Sequence, residues 1–231
     1  MKVYALRTPI SASLENIAAD KSISHRCAIF SLLSDKPSRV KNYLKAEDTL
    51  NTLEIVKNLG ARIEEKEGEL IITPSANLKE PGVVLECGNS GTAMRLFMGF
   101  LAASEGFFVL SGDEFLNRRP MARVAKPLIS VGAKIDGANG GDHAPLAIRG
   151  KKLEYFKFDS KIASAQVKSA LILAGLKSNG CELSEPELSR DHTERMLKGM
   201  GASLQILPHG IKVGPMSAPL KPLEICVPND P

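Results

Sequence analysis

Residues 86–95, reading ECGNSGTAMR, hold the densest chemistry of the chain. Two glycines, an asparagine, a serine and a threonine stand just before an apolar run that carries Arg95. Val83, Val84 and Leu85 lead in. Met94, Leu96, Phe97, Phe100 and Leu101 follow at helical spacing, and Gly106 offers a stop. The pattern predicts a loop between a strand and a helix N-terminus. Free backbone N–H groups and the positive end of the helix dipole meet there, which suits an anion. Gly88 and Gly91 allow the backbone close to a ligand, although Asn-Ser-Gly is also an ordinary turn. Two more stretches share the layout. DKSISHR at 20–26 opens the apolar run 27–33, and SKIASAQVK at 160–168 opens the run 169–176. All three put small hydroxyl or amide residues ahead of a helix-like tract, with Lys or Arg in its first turns.

Five clusters follow from this. Lys21, Ser22 and Arg26 suit a phosphate, with two cations and a neutral donor at one helix start. Asn89, Ser90, Gly91, Thr92 and Arg95 form the second, Arg95 lying one turn past the loop. Arg118 and Arg119 precede Pro120, where a guanidinium can take a carboxylate or phosphate bidentately. Ser164 and Gln166, followed by Lys168, open the third apolar helix. Arg190 and His192 stand at the start of the last amphipathic tract, where Asp191 and Glu194 read as a capping box. Each cluster also has a plain structural reading as a helix cap, an ion pair or an exposed basic loop. Together they supply many anion donors and few candidates for a general acid or base. There is no Ser-His-Asp pattern and no cysteine beside an activating base. The chain reads as one wall of a site for a substrate bearing several negative charges.

The elements that position these clusters form a threefold repeat. Asn58-Leu59-Gly60-Ala61-Arg62-Ile63 recurs as Ser130-Val131-Gly132-Ala133-Lys134-Ile135 and as Gly199-Met200-Gly201-Ala202-Ser203-Leu204. Each Gly-Ala ends an amphipathic helical tract and starts a strand-like one. The tracts begin at Asp48, Pro120 and Asp191, with Asp expected as N-cap and Pro in the first turn. Pro127 predicts a kink or a late start. Two short strands around a polar turn follow, as at 62–64 with 70–73 and at 203–207 with 211–213. Each unit reads as strand, ligand-facing loop, apolar helix, strand, polar loop, amphipathic helix and two-stranded turn. Residues 28–33, 96–103 and 170–176 are apolar on nearly all sides, which predicts buried helices with sheets outside. Residues 74–81 and 137–141 are surface loops. Residues 223–227 are strand-like, and Pro228-Asn229-Asp230-Pro231 is read as the start of a fourth unit in a longer protein.

With 231 residues and 43% apolar content the chain can bury a substantial core and is not disordered. No apolar run is long enough to span a membrane, and the N-terminus lacks an export signal core. Cys27, Cys87, Cys181 and Cys226 are scattered, which predicts reduced thiols in a cytoplasm. His25, His143, His192 and His209 lack metal-ligand spacing. A formal charge of +4, with no basic block and no Trp, gives nucleic acid little to bind.

The motifs Asp20-Lys21-Ser22-Ile23-Ser24-His25-Arg26, Gly88-Asn89-Ser90-Gly91-Thr92-Ala93-Met94-Arg95, Arg119-Pro120, Ser164-Ala165-Gln166-Val167-Lys168 and Arg190-Asp191-His192-Thr193-Glu194 closely resemble 5-enolpyruvylshikimate-3-phosphate synthase. They occur in that family's order, across essentially all of this chain but only the first half of the family's usual length. The resemblance implies an α/β fold, the enolpyruvyl transferase domain or inside-out α/β barrel, built of three repeated units with buried helices and outward-facing sheets. Residues 20–227 are then the shikimate-phosphate-binding domain. Residues 1–19 and 228–231 are crossovers to a second domain.

The family transfers the enolpyruvyl group of phosphoenolpyruvate to the 5-hydroxyl of shikimate 3-phosphate, by addition and elimination, with no metal or organic cofactor. Carried over by motif, Lys21, Ser22, Arg26, Ser164, Ala165, Gln166 and Arg190 hold shikimate 3-phosphate. Lys21, Gly91, Arg119 and Gln166 contact phosphoenolpyruvate, with Asn89 and Arg95 shaping the loop. The groups that move protons belong to the second domain, so this chain is expected to bind without turnover, as a monomer. The nearest rival is UDP-N-acetylglucosamine enolpyruvyl transferase, which carries Lys-Asn in place of Lys21-Ser22 and a cysteine ahead of its Arg-Pro; residues 112–119 contain none. A non-catalytic anion-binding module is the reading from another class.

Overall fold

A computed structural model describes residues 17–230. Gly60, Gly132 and Gly201 end their helices with φ of 105°, 101° and 91°, the left-handed region that a side chain resists. The repeated Gly-Ala signal is thus a repeated helix stop. The first unit holds α1 (Lys21–Ser31), β1 (Ser38–Lys41), α2 (Glu47–Asn58), β2 (Arg62–Lys66) and β3 (Glu69–Thr73). The second holds β4 (Leu85–Glu86), α3 (Gly91–Ala102), β5 (Gly106–Ser111), the short turn α4 (Glu114–Asn117), α5 (Ala122–Ser130), β6 (Lys134–Gly137), the short turn α6 (Ala138–Gly141) and β7 (His143–Gly150). The third holds β8 (Phe156–Asp159), α7 (Ala165–Leu176), β9 (Cys181–Ser184), α8 (His192–Gly199), β10 (Leu204–Leu207) and β11 (Gly210–Val213), and β12 (Glu224–Cys226) follows.

Each unit contributes one four-stranded sheet, in the orders β12-β1-β3-β2, β4-β5-β7-β6 and β8-β9-β11-β10. In each the first pair is parallel and the rest antiparallel. The strand-like residues 224–226 pair in parallel with β1, Arg39 opposite Glu224, and occupy the place that β4 and β8 take in the other sheets. The exposed hydrogen-bonding edge of β1 needs a partner, and among the described residues β12 supplies it. Of the expected N-terminal crossover, residues 1–16 lie outside the described residues. Residues 17–19 run beside the end of the chain, where Ala19 bridges Asn229.

The helices that begin each unit lie inside. All residues of α7 from Val167 to Leu176 are buried, as are all of α3 except Thr92 and Arg95, and Ser24 to Ser31 of α1. The sheets alternate buried and open positions, as in β7, and so shield this core with one face. Gly99 lets α3 and α7 meet backbone to backbone: a Cβ there would lie 2.1 Å from the carbonyl oxygen of Ala170 and 2.5 Å from its Cα.

The amphipathic helices differ in their caps from expectation. α2 starts at Glu47 after Ala46, and the Thr49 hydroxyl accepts from the Ala46 N–H; Asp48 is instead ion-paired to Lys21. α8 starts after Asp191, which makes no side-chain cap hydrogen bond, and the Glu194 carboxylate turns to Lys168. α5 starts at Ala122, two residues past Pro120, with Pro127 in its interior. The 137–141 loop contains the α6 turn, in which Asn139 and Gly140 are left-handed.

Gly99→Ala tests the inner contact. Because the obstruction is backbone, the two helices must separate. Urea denaturation is expected to show a loss of about 3 kcal/mol or more, and a loss below about 1 kcal/mol would contradict the close packing.

Candidate functional site

The three buried helices each start with a side-chain cap. The Asp20 carboxylate accepts from Ile23 N–H (2.6 Å), the Ser90 hydroxyl from Ala93 N–H (3.1 Å) and the Ser164 hydroxyl from Val167 N–H (3.5 Å). The starts of all three open on one polar cavity of about 500 Å³, lined by Ser22 and Arg26 from α1, Thr92 from α3, residues 163–166 at the head of α7, and Ser189, Arg190 and His192 leading into α8. Three helix dipoles therefore present their positive ends to the same space.

Arg26 is buried in the wall, and its hydrogen bonds all go to neutral oxygens. Nε donates to the Thr193 hydroxyl (2.8 Å), Nη1 to the Ser22 carbonyl (3.0 Å) and Nη2 to the Ser169 hydroxyl (3.2 Å). Burial lowers its pKa to about 10, with Glu194 and Asp20 opposing and Arg190 assisting. It remains charged at neutral pH. A guanidinium has five donors, so two remain for an anion.

A second group lies beside this cavity, centred on Arg95, Asn89 and Arg119. Arg95 Nη1 donates to Gln166 Oε1 (3.0 Å) and to the Gly91 carbonyl (3.4 Å), and Nη2 to the Pro120 carbonyl (3.3 Å). Its buried Nε has no hydrogen-bond partner among the described residues. Burial, then Arg123 and Arg119, push its pKa down, so the pocket favours an incoming negative charge. Gln166 joins the two groups, since its Nε2 donates to the Thr92 hydroxyl lining the cavity (3.1 Å). Arg119 donates to Asn89 Oδ1, and Asn89 Nδ2 donates to Asp113 Oδ2 (2.7 Å). Asp113 is held below the usual carboxylate range, first by the Leu116 N–H. Gly91 is fitted to Arg95: a Cβ there would lie 2.7 Å from Nη1.

His25 holds the first two loops together from inside. Nδ1 lies 2.7 Å from the Thr52 hydroxyl and Nε2 lies 3.1 Å from the Ser90 hydroxyl. Thr52 already donates to the Asp48 carbonyl (3.1 Å). So Nδ1 carries the proton and donates to Thr52, and Nε2 accepts from Ser90, leaving a Ser90 lone pair to cap α3. Burial, with Lys21 and Arg26 assisting and Asp48 opposing, lowers the His25 pKa from 6.5 to about 4. His25 is thus a neutral structural link and not an acid or base of the site.

Of the residues singled out in the sequence, Ser22, Arg26, Thr92, Ser164, Ala165, Gln166, Arg190 and His192 share the cavity. Asn89, Gly91, Arg95 and Arg119 form the adjoining group. Lys21 does not line the cavity: its ammonium is paired with Asp48, and its side chain is 50% exposed. Arg118 pairs with Glu114 at the surface. Lys168 is turned away and bound to Glu185 and Glu194. Sequence reasoning did not assign roles to Thr193, Ser169 and Asp113. Thr193 lies within a quoted motif, but nothing local to Ser169 or Asp113 marks them. Among the described residues no group of His, Cys, Asp and Glu could hold a metal, and no helix is long and apolar enough to cross a membrane.

Three repeated α/β units with buried helices, whose N-termini and arginines surround one polar cavity, define a domain of the enolpyruvyl transferase fold. The family model described as EPSP synthase (3-phosphoshikimate 1-carboxyvinyltransferase) matches residues 5–231. The chain is 73% identical over 231 residues to the 3-phosphoshikimate 1-carboxyvinyltransferase of Campylobacter curvus, and 68% identical to that of Campylobacter concisus; all of the chain aligns, to 54% of each relative. A solved structure of EPSP synthase from Acinetobacter baumannii superposes with a TM-score of 0.87 at 39% identity, covering 93% of this chain and 49% of that one. The chain belongs to the EPSP synthase family. It spans about half the length of the curated relatives it matches.

The His25 link has a pH signature. Its folded pKa lies below the unfolded one, so its contribution is complete above pH 6.5 and is lost as pH falls toward about 4. Relative to His25→Gln, the parent chain is expected to lose about 2–3 kcal/mol between pH 7 and pH 4 in urea denaturation. A stability difference that stays constant across this range would show that His25 is not held neutral.

Proposed function

We propose that this chain is the shikimate 3-phosphate-binding half of a 3-phosphoshikimate 1-carboxyvinyltransferase. The whole enzyme transfers the enolpyruvyl group of phosphoenolpyruvate to the 5-hydroxyl of shikimate 3-phosphate and releases phosphate. The observation that carries this reading is Arg26, buried at the meeting of three helix N-termini with only neutral hydrogen-bond partners. Such a guanidinium is arranged for a ligand anion.

On this reading Ser22, Arg26, Ser164, Ala165, Gln166 and Arg190 bind shikimate 3-phosphate. Asn89, Gly91, Arg95, Arg119 and Gln166 bind phosphoenolpyruvate. Lys21 serves both by exchanging Asp48 for the ligands, which its half-exposed side chain permits. Gathering two anionic reactants beside fixed cations lowers the cost of their encounter and stabilises charge as phosphate departs.

Residues 20–227 form the binding domain, flanked by the crossovers 1–19 and 228–231. Residues 18–20 and 228–230 run side by side, with Asp20 N–H donating to the Pro228 carbonyl and Asp230 N–H to the Ala18 carbonyl, both at 2.8 Å. The carboxylates near the cavity are committed to cations: Asp48 to Lys21, and Glu185 and Glu194 to Lys168. As the family resemblance implies, proton transfer belongs to the second domain, so on this reading the chain binds but does not turn over. The reading carries with it a cytoplasmic monomer, and the buried free thiols of Cys27, Cys87 and Cys181 fit a reducing compartment.

Calorimetric titration of shikimate 3-phosphate tests this, with shikimate and UDP-N-acetylglucosamine as controls. Saturable binding that requires the phosphate is expected, weakened about 10- to 100-fold in a folded Arg26→Ala variant. Binding of the UDP-sugar but not of shikimate 3-phosphate would assign the chain to the other enolpyruvyl transferase. Sustained turnover by the pure chain would refute the division of labour.

A further inference from the structure

Lys168 is buried on α7, away from the cavity, and bridges two carboxylates. Its Nζ lies 2.7 Å from Glu185 Oε1 and 2.7 Å from Glu194 Oε1, and donates to the Ser189 carbonyl at 3.3 Å. The three charged side chains are 9%, 6% and 7% exposed. The second oxygen of Glu194, Oε2, is buried with no hydrogen-bond partner among the described residues.

The next residue along α7, Ser169, lies 2.6 Å from the Thr193 hydroxyl. Two successive residues of α7 thus grip two successive residues of α8, Lys168 with Glu194 and Ser169 with Thr193. Arg26 is attached to the second pair through Nε and Nη2. A carboxylate with a free oxygen therefore stands one residue from the group that holds Arg26, and its charge acts on that guanidinium. Arg26 nevertheless makes only neutral contacts. A buried bidentate arginine–carboxylate pair is strong and would occupy the donors that a ligand phosphate needs. A buried Glu194 without Lys168 would be an uncompensated charge, with Arg26 as its neighbouring cation.

We propose that Lys168 is a positioning residue of the anion site: by holding Glu194 it prevents a Glu194–Arg26 ion pair and keeps the Arg26 guanidinium open to the phosphate of the ligand. The inference rests on the phosphate-binding reading above. It differs from a plain scaffolding role, in which Lys168 would only fix the 185–191 segment through Glu185, whose oxygens accept from the Ser189 N–H (3.1 Å) and hydroxyl (2.7 Å).

A double-mutant comparison separates the two. In calorimetric titration with shikimate 3-phosphate, Lys168→Met is expected to weaken binding about 10- to 100-fold. In a Glu194→Gln background the same substitution is expected to cost less than about threefold, because the competing carboxylate is gone. Lys168→Arg is expected to retain binding. A Lys168→Met defect that persists undiminished beside Glu194→Gln overturns the proposal. A second readout needs no ligand. A crystal structure of Lys168→Met, or of Lys168→Gln should the first not fold, is expected to show the Glu194 carboxylate hydrogen-bonded to Arg26. Arg26 with its original partners, and Glu194 elsewhere, would overturn it. If the parent chain fails to bind shikimate 3-phosphate the functional reading falls, and the Glu194–Arg26 contact still decides this one.

Discussion

The closest constraint in this fold is the contact of α3 with α7 at Gly99 and Ala170, where no side chain separates the backbones. Helices this close are buried on nearly every face, so they carry almost no polar side chains beyond their first turns. Their unpaired N–H groups must then be met at their ends. With α1 added, the three helix starts share one cavity, and polarity that the core rejects collects there. The sheets take the outer positions because each has one apolar face to offer and one to leave in water. The shared polar cavity is thus a consequence of turning an α/β arrangement inside out.

Electrostatic neutralisation around the cavity is selective. Asp48 is paired with Lys21, Asp113 faces Arg119 through Asn89, and Glu185 and Glu194 share Lys168. Arg26 and Arg95 keep neutral oxygens as hydrogen-bond partners, and Arg95 keeps an unpartnered Nε as well. Both have lowered proton affinity, chiefly through burial, which measures how poorly the protein alone stabilises their charge. On the proposed reading, an arriving dianion supplies that stabilisation. The neutral His25 link belongs to the same economy of charge, because it orients Ser90 without adding another buried cation.

Much of this was written locally in the chain. The Gly-Ala helix stops, the helix starts after residues 90 and 164 and the all-apolar runs each depend on neighbours within a few residues, and the structure bears them out. The residues at the helix starts, from Ser22 and Arg26 to Gln166, were legible for the same reason. What could not be read depends on partners distant in sequence. Asp48 looked like a cap but answers to Lys21, and Glu194 looked like half of a capping box but answers to Lys168. The strand at 224–226 was legible as a strand, but its partner was not. Only the unpaired edge of β1, some 185 residues earlier, explains where it goes.

The claim on which the rest stands is that three helix starts and Arg26 make a single seat for a phosphate. The most direct measurement is a crystal structure of the chain with shikimate 3-phosphate. The account predicts phosphate oxygens within hydrogen-bond distance of the Arg26 guanidinium and of the Ser164 loop, with the helix starts of α1 and α7 facing the ligand. A phosphate seated elsewhere, with Arg26 still bonded only to Ser22, Ser169 and Thr193, would contradict it.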